Sequence, residues 1–259
     1  MADIRLQDYL VKIQDLIANE RHDEAIGHCQ QILRQYPKHV ATYCLLGEAC
    51  LEMGRHKEAT DLFHRTLSAD PENLMARVGL GIIHAVAGAQ PEAIWQLERA
   101  YELAPGNTEV RSELERLHAG GDGEEKPRLQ LTRGGLGRLY ARNGLYERAI
   151  AEFRNILSEN PDSVDIRASL SEALWREGRR LEAVETCLDL VQVLPNCLKA
   201  NLILGEIWMR GGHEDAGQEK LQVARALDPE NLVAQEVMGS ESPLPLEDVY
   251  ILELESAPE

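Results

Sequence analysis

Residue types able to do covalent or metal chemistry are present in this chain but never assembled. Its eight histidines are scattered, no H-E-x-x-H occurs, and the adjacent His28 and Cys29 point in different directions on a helix. Cys29, Cys44, Cys50, Cys187 and Cys197 are odd in number and lack a C-x-x-C spacing. They read as reduced thiols packed where a small apolar side chain is wanted, holding no metal. Gly135 and Gly137 in GGLGRLY imitate the start of a dinucleotide-binding loop, but no strand precedes them and the third glycine is missing. No catalytic residues, no enzyme activity and no cofactor are expected.

Charge offers a different chemistry. Arg142, Arg176 and Arg210 are spaced by 34 and 34, so on a repeating structure they stack as a ladder. In a chain of net charge -17, a row of guanidinium groups beside Trp175 and Met209 suits an acidic peptide with apolar side chains, because guanidinium and carboxylate pair bidentately. There is a second reading: Glu172 and Glu206 each precede an arginine by four, the favourable order for a helix-surface ion pair. Arg138 and Arg142 have no such carboxylate one turn before them, which concentrates the excess positive charge there.

Positioning these side chains requires a repeat. Pro37, Pro71 and Pro105 are 34 apart, Pro161, Pro195 and Pro229 are again 34 apart, and an interval of 56 separates the two triplets. Between Tyr43 and Pro71 runs YCLLGEACLEMGRHKEATDLFHRTLSADP, with Leu46, Gly47, Gly54, Ala59 and Phe63 at marked phases. This skeleton resembles the tetratricopeptide signature, a 34-residue helix-turn-helix. The resemblance implies an all-α fold of tandem helix-turn-helix repeats, an α-solenoid, here in two modules with about 14 helices and no sheet. Gly47, Gly81, Gly137 and Gly205 let the partner helix approach closely. Gly54, Gly88, Gly144, Gly178 and Gly212 stand where a left-handed residue ends the first helix.

The expected organisation is an N-terminal module over 1–118, with three repeats and a solo capping helix, and a Gly-rich acidic linker over 119–127. A C-terminal module follows over 128–239, again three repeats and a cap, and an acidic apolar tail over 240–259. Repeat one is eroded, with Lys12 and Ile13 where the Leu-Gly pair belongs. The tail, SESPLPLEDVYILELESAPE, is either a solvated acidic segment or a docking peptide; a solvated one has no need of Val249, Tyr250, Ile251, Leu252 and Leu254 together.

Proteins of the resembled family hold an extended or helical peptide on the concave face made by the first helices. Carried over by phase, the resemblance places Met75, Val78, Ile82 and Val86 in the groove of repeat three. In the second module it places Arg138, Arg142, Trp175, Arg176, Lys199, Leu202, Met209 and Arg210 there. The third-repeat helix is apolar almost all round, which predicts that something covers it on every side. The carboxylate clamp of chaperone-binding members needs lysine and asparagine at early groove phases. Gly134, Arg138, Ala168 and Glu172 stand there instead, so chaperone-tail binding is not expected.

Composition bounds the rest. Hydrophobic residues at 44% and charged residues at 27% suffice to bury the facing sides of stacked hairpins and leave a charged exterior. The acidic charge disfavours nucleic acid and anionic membranes, and no apolar run is long enough to span a bilayer, so a cytoplasmic location is expected. The function expected is a noncatalytic adaptor that binds an acidic, apolar peptide of a partner protein, with the tail as a built-in regulator. The alternative is a self-assembling structural protein that forms homo-oligomers through groove and tail.

Overall fold

The computed structural model describes residues 3–119 and 129–254. Most of the linker expected over 119–127, and the last five residues of the tail, lie outside the described residues. Helices run in tandem: α1 (Leu6–Ala18), α2 (His22–Gln35), α3 (Val40–Glu52), α4 (His56–Ala69), α5 (Leu74–Val86), α6 (Gln90–Leu103) and the solo α7 (Thr108–His118). Then follow α8 (Arg133–Arg142), α9 (Tyr146–Glu159), α10 (Val164–Arg176), α11 (Arg180–Val193), α12 (Leu198–Arg210), α13 (Glu214–Leu227) and the short α14 (Leu232–Met238). The 14 helices in tandem among the described residues make this an all-α repeat solenoid by class. The expected absence of sheet is corrected. A strand β1 (Asp3–Arg5) pairs antiparallel with a strand β2 (Tyr250–Leu252), Ile4 opposite Ile251. Three-residue strands give too short an alternation to be seen against the helical period.

Two glycine classes build four of the six hairpins. A methyl group at Gly47 would sit 2.7 Å from the Phe63 ring, and one at Gly137 2.6 Å from the Phe153 ring, so the missing side chain is what lets the two helices of a pair meet. At the turn between them, Gly54 and Gly144 have φ of 70° and 72°, a left-handed backbone that lets the chain reverse.

A contact not legible in the periodicity closes four of the repeats. The side chain six residues after a closing proline donates to that proline's carbonyl: Tyr43 to Pro37 at 2.7 Å, Arg77 to Pro71 at 3.0 Å and Asn201 to Pro195 at 3.0 Å. Arg167 does the same to Pro161. Because tyrosine, arginine and asparagine share only a donor, residue identity hides the pattern.

The chain divides into two compact units, which differ from the two modules counted by repeats. One unit joins residues 1–70 to 191–259 and the other spans 71–190. In the second unit the core cluster Ala93, Leu97, Ala100, Val110, Leu114 and Leu117 lies between α6 and α7, and α8 packs beside α6. In the first unit β1 leads directly into α1, and α14 turns through a 3-10 stretch at Gly239–Glu241 into the tail.

Candidate functional site

Within the 71–190 unit, Arg138 leaves the groove. Its guanidinium is buried and donates to Glu102 at 2.7 Å, Asp165 at 3.0 Å and Glu72 at 3.2 Å, while Arg99 holds Glu102 from the other side at 2.7 Å. Thr132 donates to Glu102, and Ser169 to Glu72. Burial alone favours the neutral arginine. The carboxylates of Glu72, Asp165 and Glu102 outweigh it and hold the guanidinium above its usual value. The Arg138 fork therefore ties together the N-terminal end of α5, the C-terminal end of α6, α8 and α10. It is a structural tie where a ligand contact was expected, because carboxylates distant in sequence converge on it.

The rest of the ladder is engaged too. Arg142 donates to the Leu103 carbonyl, Arg176 pairs with Glu172 at 2.8 Å, and Arg210 pairs with Glu206 at 2.6 Å and with Glu241 at 3.1 Å. The intrahelical ion pair is thus the geometry found at Arg176 and Arg210. Trp175 is buried under Arg180, whose guanidinium lies 5.0 Å from the ring centroid. Leu202 is buried, and Lys199 and Met209 are half-buried. Met209 packs where a side chain on Gly217 would otherwise stand.

Met75, Ile82 and Val86 are 45%, 38% and 67% exposed along one face of α5, and Val78 between them is half-buried against the α6–α7 core. Polar contacts on the helix's other flank explain the apolar surround: Arg77 is buried, bonded to Gln96 at 3.1 Å and to the Pro71 carbonyl. The row is exposed in the single chain, and the cover expected for it from a partner peptide or another protomer would come from outside that chain.

The tail, in the 1–70 and 191–259 unit, is docked in cis on repeat one and does not follow the second-module groove. Ile251 is buried, while Tyr250 and Leu252 face outward. The Leu6 N–H donates to the Val249 carbonyl at 2.8 Å. Beside β2, the Leu254 N–H donates to the Tyr9 hydroxyl at 3.0 Å, Gln31 donates to the Leu252 carbonyl at 3.3 Å, and Lys12 pairs with Glu253 at 2.5 Å. Tyr9 in turn lies 2.7 Å from His28 Nδ1. The tail is also held upstream: Asn231 and Gln235 donate to the Pro245 and Leu244 carbonyls, and Leu244 is buried. Gln235 is the residue six after Pro229, so the tail takes the acceptor role that the closing proline has elsewhere. The erosion at Lys12 and Ile13, with the apolar run from Val249 to Leu254, was the sequence signal of this site.

The five cysteines are buried free thiols. Burial pushes Cys29 and Cys44 up to about 12, which suits packing rather than nucleophilic chemistry. Among the described residues no helix is long and apolar enough to cross a membrane.

Comparison with known proteins agrees with this geometry. Two tetratricopeptide-repeat family models match residues 16–78 and 135–195. A peroxisomal targeting signal receptor of Eremothecium gossypii is 26% identical over 218 residues, 79% of this chain and 38% of the relative. Superkiller complex protein 3 of Mus musculus is 25% identical over 84 residues, 32% of this chain and 5% of the relative. The chain thus spans well under half the length of either. Among solved structures, the P58(IPK) TPR domain aligns with 91% of this chain and 64% of its own at 12% identity and a TM-score of 0.40. With both segments matched, and with Gly47, Gly81, Gly137 and Gly205 each set against a Phe or Leu of the facing helix, residues 16–78 and 135–195 are tetratricopeptide repeats.

Proposed function

We propose that the chain is a noncatalytic scaffold that binds a peptide segment of a partner protein along the exposed face of α5. Repeats of this family serve protein interaction. The observation that carries the finer reading is the row Met75, Ile82 and Val86, open to solvent on a first helix while Arg138, Trp175 and Leu202 are used internally. Exposed apolar side chains in a contiguous row mark an interaction face. The relative named as a peroxisomal targeting signal receptor is in keeping with a binding role.

Peptide phage display on the full chain tests it. Wild type is expected to enrich apolar sequences, and Ile82→Glu with Val86→Glu to lose them while keeping its helical content. No enrichment, or equal enrichment by the variant, overturns the reading. Concentration-dependent self-association abolished by the same pair of substitutions would put a second copy on the face in place of a foreign peptide.

A further inference from the structure

The tail's seat has the parts of a peptide-recognition site, each set by a side chain of repeat one. β1 supplies a strand edge, and backbone pairing to it is indifferent to the incoming sequence. Ile4 and the helices beneath it bury an apolar residue at the place of Ile251. Lys12 selects a carboxylate two positions later, at Glu253, and Arg5 selects one three positions earlier, 2.6 Å from Asp248. Leu254 lies over Gly27, where even a methyl group would sit at van der Waals distance, 3.6 Å from its side chain. Other repeats carry Leu46 or Leu80 at the phase of Lys12, so this arrangement belongs to repeat one.

We propose that the surface formed by β1, α1 and α2 is a strand-docking site for an acidic, apolar segment of another polypeptide. The chain's own tail occupies it in cis and is replaced by a partner strand of the same pattern. This rests on the reading of the chain as a peptide-binding scaffold, at a site separate from the α5 face.

Two further features bear on exchange. Gly239, at φ 56°, turns the chain out of α14 into the tail in a backbone conformation glycine adopts without strain. Beneath the junction of β1 and the tail lies Glu230, 2% exposed, whose carboxylate faces the Gln7 N–H without closing a hydrogen bond. Asp228, Arg5 and Asp248 face it from the neighbouring segments, two like charges against one opposite. A buried carboxylate so placed costs the docked state free energy that a stronger ligand strand can exploit.

The test uses a labelled peptide with the sequence of residues 246–254, LEDVYILEL, titrated by fluorescence anisotropy into the full-length chain. Ile251→Asp removes the buried anchor of the cis tail, and Glu253→Lys replaces the carboxylate that pairs with Lys12 by an ammonium that repels it. Either variant, with helical content retained, is expected to bind the peptide at least about tenfold more tightly than wild type does. Adding Lys12→Glu should then weaken binding by about tenfold, and Lys12→Arg should keep it. The proposal is overturned if both tail variants fold and neither binds, or if wild type and the Lys12→Glu variants bind as well as the released chains. Ile82→Glu with Val86→Glu should leave this binding unchanged, which separates failure here from failure of the α5 reading.

Discussion

Glu20 occupies, at φ 60°, the left-handed backbone position that Gly54 occupies at φ 70° one repeat later. The two are 34 residues apart and end the first helix of their hairpins. An L-side chain there costs roughly 1–2 kcal/mol of backbone free energy that glycine does not incur. Repeat one therefore folds with a strain that the other repeats avoid. Glu20→Gly is expected to stabilise the chain by about 1 kcal/mol in urea denaturation; an unchanged or lowered midpoint contradicts the assignment.

The Arg138 fork predicts a large loss. Arg138→Met removes the guanidinium that Glu72, Glu102 and Asp165 share in a buried site, and breaking such a cluster costs about 3–5 kcal/mol. Denaturation midpoints should fall accordingly, whereas a ligand-binding arginine on the surface would cost less than about 0.5 kcal/mol.

Glu230 gives a pH dependence with a definite sign. Burial, with Asp228 and Asp248 adding to it, pushes its carboxyl from the usual 4.5 up to about 7, against the Gln7 N–H and Arg5, which pull it down. The folded state thus holds the proton more tightly than the unfolded one. Its stabilising contribution is full below 4.5 and is lost as pH rises through about 7. His28, buried beside Tyr9 and Lys12, is held below its usual 6.5 and works on the acid side, losing its contribution as pH falls below that value. Urea midpoints measured from pH 5.5 to 8.5 should show an alkaline decline in wild type that Glu230→Gln flattens. An identical slope in the variant would rule Glu230 out as its source.

The thiols should be silent in the native state. With Cys29 and Cys44 near 12, about one in ten thousand is thiolate at pH 8, and burial blocks access as well. An aromatic disulfide reagent is expected to titrate all five cysteines in urea and to react with the folded chain only at the rate of opening. Rapid native labelling of either residue would contradict the packing assigned to them.

The 34-residue spacing of prolines, with glycine at two phases and Phe63 or Phe153 opposite, determined the helices, their turns and the family, because those depend on local periodicity and on contacts within one hairpin. It also named α5 as unusual, and its open row keeps three of the four groove residues expected there exposed. Tertiary structure alone decided what Arg138 binds and where Ile251 is buried. The partners of Arg138 lie 27, 36 and 66 residues away, and Lys12 meets Glu253 across 241. A periodic signal says which way a side chain faces on its own helix. Which distant charge or strand arrives there is set by how the chain packs, since ion pairs and strand pairing depend on position in space and leave no period in the sequence.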